Sequence, residues 1–344
     1  MRPKKKIGLK NIAEAAGVSV VTVSNALSGK KGVSDEKRNL IMKTAEELGF
    51  SIDKYKNNTD STVETDFNGK VIGVLVSDFY ISIGTSFYWE MYQNVTSEAA
   101  KCNCMISLYI AKERSGDSSI PSMIEDKSID GLIIIGRLKD NYLEEVFNKT
   151  ACPIVLMDFV LPERDISAVL SSNYLGMYKS TKELIKAGHT KIGFVGTMGF
   201  SHNIGERMCG YQRCMVDNGL NVLQKWILSD RVGKMETPYI SLPDELPTAF
   251  ACSSDYAASI LYDALKLKGL RVPEDISIAS YDNYLYGHVL SGRLTTFNVD
   301  METMAERAVG QLLEEIKDPS VRHKIEYVDS KMILRDSIKK LNNC

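Results

Sequence analysis

Several features are missing from this chain of 344 residues, and each absence removes a class of function. No apolar run approaches the roughly 20 residues that a membrane-spanning helix requires. The basic start Met1 to Lys6 (MRPKKK) is not followed by the apolar stretch of a secretory signal, so a cytoplasmic protein without a membrane partner is expected. Cysteine is sparse and odd in number, seven in all, with Cys102, Cys152 and Cys252 in or beside apolar runs; that fits reduced thiols rather than a disulfide framework. Cys102 and Cys104 form a lone CxC without further ligands, and no metal is expected. There is no HExxH helix, no GxSxG nucleophile turn and no GxxxxGK(S/T) phosphate loop. Gly196 and Gly199, in GTMG, lack the lysine and third glycine of a nucleotide loop. His189 stands in a Gly-His-Thr turn before a strand and reads as a structural hydrogen bonder. Nothing supports an enzyme, and no cofactor is expected.

What is present begins near the amino terminus. In LKNIAEAAGVSVVTVSNAL, Leu9 to Leu27, the residues Leu9, Ile12, Ala13, Ala16, Val18, Val23 and Leu27 recur at three- and four-residue steps. Gly17 interrupts the first run and Ser19 opens the second, which predicts two short helices around a tight turn with Ser19 as cap. A third helix is predicted from Ser34 to Leu48, with Ser34 as cap, Leu40, Ile41, Ala45 and Leu48 facing inward, and Gly49 terminating. This is a helix-turn-helix. Its second helix presents Val20, Val21, Thr22, Ser24 and Asn25 as candidate DNA readers. Asn25 has the donor and acceptor pair that adenine matches, the valines suit thymine methyls, and the hydroxyls suit phosphates.

A small helical bundle for protein contact has the same spacing, but charge argues against it. Residues 1 to 58 hold 12 Lys and Arg against 6 Asp and Glu, whereas the remainder holds 30 against 38. A basic head on an acidic body is the electrostatic footprint of phosphate binding.

Ser51 to Lys70, SIDKYKNNTDSTVETDFNGK, is polar and aperiodic, as linkers are. Beyond it, apolar runs alternate with amphipathic stretches. Strands are predicted at Val71 to Val76, Met105 to Ile110, Gly131 to Ile135, Ile154 to Met157, Ala168 to Leu170, Ile192 to Val195, Ala249 to Cys252 and Ile276 to Ala279. Helices are predicted at Tyr88 to Lys101, Leu175 to Ala187, Glu206 to Asn218, Asp255 to Lys268 and Met301 to Lys317. Continuous apolar strands with helices between them indicate parallel sheets covered on both faces, hence an α/β core of two doubly wound subdomains.

The head, LKNIAEAAGVSVVTVSNALSGKKGVSDEKRNLIMKTAEELGF, resembles that of the LacI/GalR (lactose-repressor) transcription regulators almost position for position. Further phrases resemble the family: VIGVLVSD at 71 to 78, SFYWEM at 86 to 91, DGLIIIG at 130 to 136, PIVLMD at 153 to 158, GHTKIGFVG at 188 to 196, RMCGY at 207 to 211, VPEDISIASYDN at 272 to 283 and LTTFNVDMETMAERAV at 294 to 309. The resemblance implies a repressor-type homodimer acting on a near-palindromic operator, with a core shaped like type I periplasmic binding proteins. It implies a helix-turn-helix domain at 1–58, a linker at 59–69 and a core at 70–344. Within the core, an N-subdomain is expected at about 70–162 and 298–327, and a C-subdomain at about 163–297 and 328–344, with crossings near 162, 297 and 328. A small sugar-like effector is expected in the cleft between them.

By motif, the effector residues would be Asp78, Tyr88, Asp158, Arg207, Ser254 and Asp282. Their chemistry suits a polyhydroxylated ligand: Arg207 offers a fork of donors, the aspartates accept from hydroxyls, and Tyr88 supplies a flat apolar face. Ser254-Asp255 stands where the family usually has Asn-Asp, and Ser229 to Glu245 has no clear counterpart. Other readings of the effector are a nucleobase or nucleoside, or a phosphocarrier protein docking as corepressor. A sugar kinase with a DNA-binding head would need the phosphate loop that is absent. One further departure concerns the linker. Family members carry Asn-x-x-Ala-Arg-x-Leu there, a hinge helix whose leucine wedges into the minor groove, but Ser51 to Val63 contains no leucine, arginine or alanine. No intercalating hinge helix is expected.

Overall fold

The structure is a computed structural model, which describes residues 9–18, 20–27, 34–47, 50, 69–81, 86–113, 119–125, 127–232, 237–238, 240–285 and 287–341. The chain forms two compact units, Met1–Asp66 and Phe67–Cys344.

The first unit holds helices α1 (Leu9–Ala16), α2 (Val20–Leu27) and α3 (Asp35–Glu47). Gly17 makes the corner at φ +65°, a conformation that costs glycine nothing, and the Val18 N–H then reaches the Ala13 carbonyl at 3.0 Å. Ile12, Ala13, Val23, Leu27, Ile41 and Ala45 are buried together as one core. The Arg38 guanidinium ties α3 to α2 through the Ala26 carbonyl at 3.0 Å. Leu40, expected inside, is 51% exposed. The inward stripe of α3 runs through Ile41 and Ala45, four apart, and Leu40 lies about 100° off it. Ser34 supplies the carbonyl that accepts the first helical bond, from Arg38 at 2.9 Å. Ser19, Leu48, Gly49 and the linker at 51–68 lie outside the described residues.

In chain order the second unit runs β1 (Val71–Ser77), α4 (Asp78–Ile81), α5 (Phe87–Lys101), β2 (Met105–Ala111), α6 (Ser122–Glu125), β3 (Gly131–Ile135), α7 (Asp140–Lys149), β4 (Ile154–Met157) and β5 (Ser167–Ser171). It continues with α8 (Asn173–Lys186), β6 (Ile192–Val195), α9 (His202–Asp217), β7 (Ile227–Leu228), β8 (Arg231–Val232), β9 (Thr237–Pro238), β10 (Ala249–Cys252) and α10 (Asp255–Leu267). Last come β11 (Ser277–Asp282), β12 (Thr295–Asn298), α11 (Met301–Lys317), β13 (Ile325–Val328) and β14 (Met332–Ile333). One sheet has the order β13-β5-β4-β3-β1-β2, and a second β14-β12-β11-β10-β6-β7. All pairings in both are parallel except β12 with β14.

The chain passes between the sheets three times. β5 belongs to the first sheet, pairing with β4 and with β13, so the first passage follows Ser171 rather than residue 162. The expected C-subdomain start at 163 is corrected accordingly. The second passage follows β12 and the third follows β13. Helix α11 lies on β3, β4 and β5 with Met304, Ala308 and Leu312 buried, each large side chain contributing about 1.5–3 kcal/mol. Helices α8 and α9 cross so closely that a Cβ on Gly210 would stand 2.1 Å from the Tyr174 carbonyl oxygen. His189 is 2% exposed, with its ring nitrogens 2.9 Å from Thr248 Oγ1 and 3.1 Å from the Lys339 carbonyl, as a structural bonder requires. Among the described residues, no helix is long and apolar enough to cross a membrane.

Candidate functional site

The carboxyl ends of the parallel strands in both sheets converge on one polar cluster. In open α/β sheets such ends form the ligand crevice. Asp158 follows β4 at φ +66°, and Asp282 closes β11 at φ +110° with Asn283 next at φ +56°. Aspartate and asparagine tolerate this left-handed region better than most residues, and such strain concentrates where side chains must be aimed.

Arg207, on α9 and only 6% exposed, organises the cluster. Its Nε donates to Asn173 Oδ1 at 2.8 Å, and its Nη1 donates to the Ser253 carbonyl at 2.7 Å and to Asp282 Oδ1 at 3.2 Å. Its guanidinium lies 3.8 Å from the centre of the Tyr281 ring. Burial pushes the Asp282 carboxyl up to about 8 against the pull of Arg207, with the nearby carboxylates of Asp255 and Asp158 adding to the rise. Across the crevice, the Tyr88 hydroxyl donates to Asp158 Oδ2 at 2.9 Å, and the Tyr80 ring lies 4.3 Å from that of Tyr88. Asp158 is 4% exposed and its carboxyl is pushed up to about 6, chiefly by burial, with Arg207 opposing.

Tyr88, Asp158, Arg207 and Asp282 are thus brought together. Asp78 opens α4, and the residue of that helix that meets the cluster is Tyr80. Ser254 does not take the expected place. Its Oγ caps α10 by accepting from the Ala257 N–H at 2.9 Å, and the buried hydroxyl left without a partner is that of its neighbour Ser253. Asp255 is structural, accepting from Ser280 Oγ, from Thr296 Oγ1 at 2.8 Å and from the Tyr284 N–H at 2.8 Å.

The motif reading did not find the rest of the lining. Asn203, one turn before Arg207, donates to the Asp158 carbonyl at 2.8 Å. Asp230, fully buried after β7, accepts from Thr197 N–H at 2.9 Å, and the Arg231 guanidinium is 3.7 Å from the centre of the Phe200 ring. Five buried polar atoms here lack any hydrogen-bond partner: Asp158 Oδ1, Asn203 Oδ1, Asp230 Oδ2, Arg231 Nη1 and Ser253 Oγ. Of the expected DNA readers, Thr22 is half-buried on α2, and the side chains of Val20, Val21, Ser24 and Asn25 lie outside the described residues.

Fold and crevice together define a two-lobed α/β core with a polar crevice at its strand ends, joined in one chain to a helix-turn-helix head. Two family descriptions match: bacterial regulatory proteins of the lacI family over residues 8–52, and a periplasmic binding protein-like domain over residues 181–338. The chain thus carries a head similar to that of the lacI-family bacterial regulatory proteins and a core similar to periplasmic binding protein-like domains. It is 28% identical over 337 residues to the ribose operon repressor of Haemophilus influenzae, covering 96% of this chain and 98% of that protein. It is 26% identical to the HTH-type transcriptional repressor PurR of Photobacterium profundum, covering 97% of this chain and 99% of that protein. In fold it is similar to the lac repressor dimer bound to operator and the anti-inducer ONPF, with a TM-score of 0.60 and 20% identity over 97% of this chain and 100% of that one.

Proposed function

We propose that this protein is a cytoplasmic repressor that binds a near-palindromic operator as a homodimer and answers a small polyhydroxylated effector in the crevice. Five buried polar atoms without a hydrogen bond around one crevice carry this reading, because such a group costs about 1–3 kcal/mol until something bonds to it; Asp230 Oδ2 keeps only a 3.5 Å ion pair with Arg231. Asp158 and Asp282 accept from ligand hydroxyls, Arg231 Nη1 donates, and Tyr88 and Tyr80 cover a ring face. The mechanism is a shift of population. A ligand that favours one crevice geometry favours one separation of the two heads, and therefore one fraction of dimers able to span both half-sites.

The Tyr80 and Tyr88 rings and the Arg231–Phe200 stack also suit a planar base, which supports a nucleobase or nucleoside as the second reading. Thermal melts of the protein with sugars, nucleosides and nucleobases separate the two. A ligand at 100 times its Kd adds about 2.7 kcal/mol of stability. The rise is expected with one class and is expected to vanish in Arg207→Met. A panel without any rise, or a rise that survives this substitution, refutes the site.

A further inference from the structure

A cavity of about 280 Å³ opens in the second lobe beside the ends of β11 and β12, lined among others by Asp255, Asn283, Leu290, Ser291, Leu294 and Arg335. A water takes up about 30 Å³ of liquid, so the space accommodates a small solvated ion. Arg335 enters it from the segment after β14. Its Nη1 donates to the Leu294 carbonyl at 2.8 Å and its Nη2 to Asn283 Oδ1 at 2.8 Å. Both acceptors are neutral, while the charge of Arg335 also acts on the nearby Asp255 carboxyl, opposing the rise that burial causes there. A guanidinium has five N–H groups in a planar fork, so three remain after these two bonds.

Asp255 is the acidic group on the cavity wall, and it is already engaged. Ser280 Oγ, Thr296 Oγ1 and the Tyr284 N–H all donate to its carboxylate, so its hydrogen bonds go to the framework and none goes to Arg335. What the cavity offers a solute is a charged donor fork whose hydrogen-bond partners carry no charge. Planar or tetrahedral oxyanions match such a fork with two parallel hydrogen bonds, which are roughly twice as strong as neutral ones.

We propose that this cavity is a second ligand site, separate from the crevice, for a small oxyanion of the phosphate or carboxylate type held by Arg335. Its occupancy bears on the crevice through one dipeptide. Asn283 Oδ1 is bonded to Arg335, and Asn283 follows Asp282, whose carboxylate meets Arg207. An oxyanion that draws Arg335 toward itself competes with Asn283 for the same guanidinium, and so acts on the strained turn that aims Asp282.

The test uses the full-length protein, titrated by calorimetry and followed by thermal melts with inorganic phosphate and, separately, with acetate. Ionic strength is held constant with sodium chloride. A saturable signal with one anion per chain is expected, together with a rise in Tm. Whichever anion saturates at the lower concentration identifies the source as phosphate or carboxylate. Arg335→Gln removes the charge, and Ser291→Glu places a carboxylate on the exposed rim beside the fork; each is expected to weaken binding about tenfold or more. Ser291→Glu alone decides the matter if Arg335→Gln does not fold. Absence of saturable binding by either anion overturns the proposal, as does binding that persists in the substituted proteins, since the anion then sits elsewhere, the basic head included.

Discussion

Replacing Asp158 by asparagine is expected to stabilise the ligand-free protein and to abolish its answer to effector. Burial pushes this carboxyl from 3.8 up to about 6, against the pull of Arg207 and the Tyr88 hydroxyl. At 1.36 kcal/mol per unit, the folded state bears roughly 3 kcal/mol for keeping the group ionised at pH 8. Asparagine retains an oxygen for Tyr88 and tolerates φ +66°, but it introduces an amide donor without a partner, at about 1–3 kcal/mol. The net gain at pH 8 is then about 0–2 kcal/mol. The sign follows from the raised value: the burden is absent below about pH 4, grows as pH rises toward 6, and is complete above that. Thermal melts at pH 8 should therefore show Tm higher by up to roughly 6 °C, with the difference shrinking or reversing at pH 5. Equal destabilisation at both pH values would refute the reasoning, because Asp158 would then be a structural acceptor rather than an ion held ready for a ligand.

Arg207→Met should destabilise the core by roughly 2–6 kcal/mol at pH 7, since the buried Asn173 and Ser253 oxygens lose their charged donor, and by more above pH 8, where Asp282 ionises without a cation; chemical denaturation across that range measures it. Gly210→Ala should cost more than about 3 kcal/mol, because the Tyr174 carbonyl is backbone and cannot step aside, and a mutant as stable as the parent in the same melts would contradict the helix crossing. In circular-permutation gel shifts the bound operator should show little central bend, and a sharp bend lost in Ile52→Ala or Tyr55→Ala would contradict the reading of the linker.

The strands were legible because parallel strands covered on both faces appear as unbroken apolar runs, and all eight predicted ones are present. Their partners were not. Ala168 to Leu170 reads as a strand, but the strand that covers its outer edge in the first sheet is Ile325 to Val328, more than 150 residues later, which no local pattern records. Helix α7, Asp140–Lys149, escaped notice because Lys139 gives no side-chain cap at its start. At the site, Arg207 and Asp282 were found through family phrases, whereas Asn203, Asp230 and Arg231 lie in stretches without such phrases. Ser254 shows a limit of motif reading: a serine directly before a helix is as good a cap as it is a ligand partner, and only the position of Ala257 N–H reveals the cap.

The contacts that hold the two lobes together come from the residues beside those that face the crevice. Asn203, whose Oδ1 is unpartnered, uses its Nδ2 to grip the Asp158 carbonyl. Tyr281, next to Asp282 and beneath Arg207, shares a 2.6 Å hydrogen bond with Ser171, the last residue of β5 before the chain changes sheet. Tyr284, two residues after Asp282, donates to the carbonyl of Ser86, the cap of α5, at 2.9 Å. A ligand that engages Asp158, Arg207 or Asp282 therefore acts on the same backbone segments that set the separation of the lobes. Small displacements suffice, because the buried rings of Tyr281 and Phe297 leave no slack around α8: a Cβ on Gly176 would lie 2.6 Å from the one and 2.7 Å from the other. Packing this tight does not deform gradually, so any change in the separation of the lobes would pass between discrete arrangements.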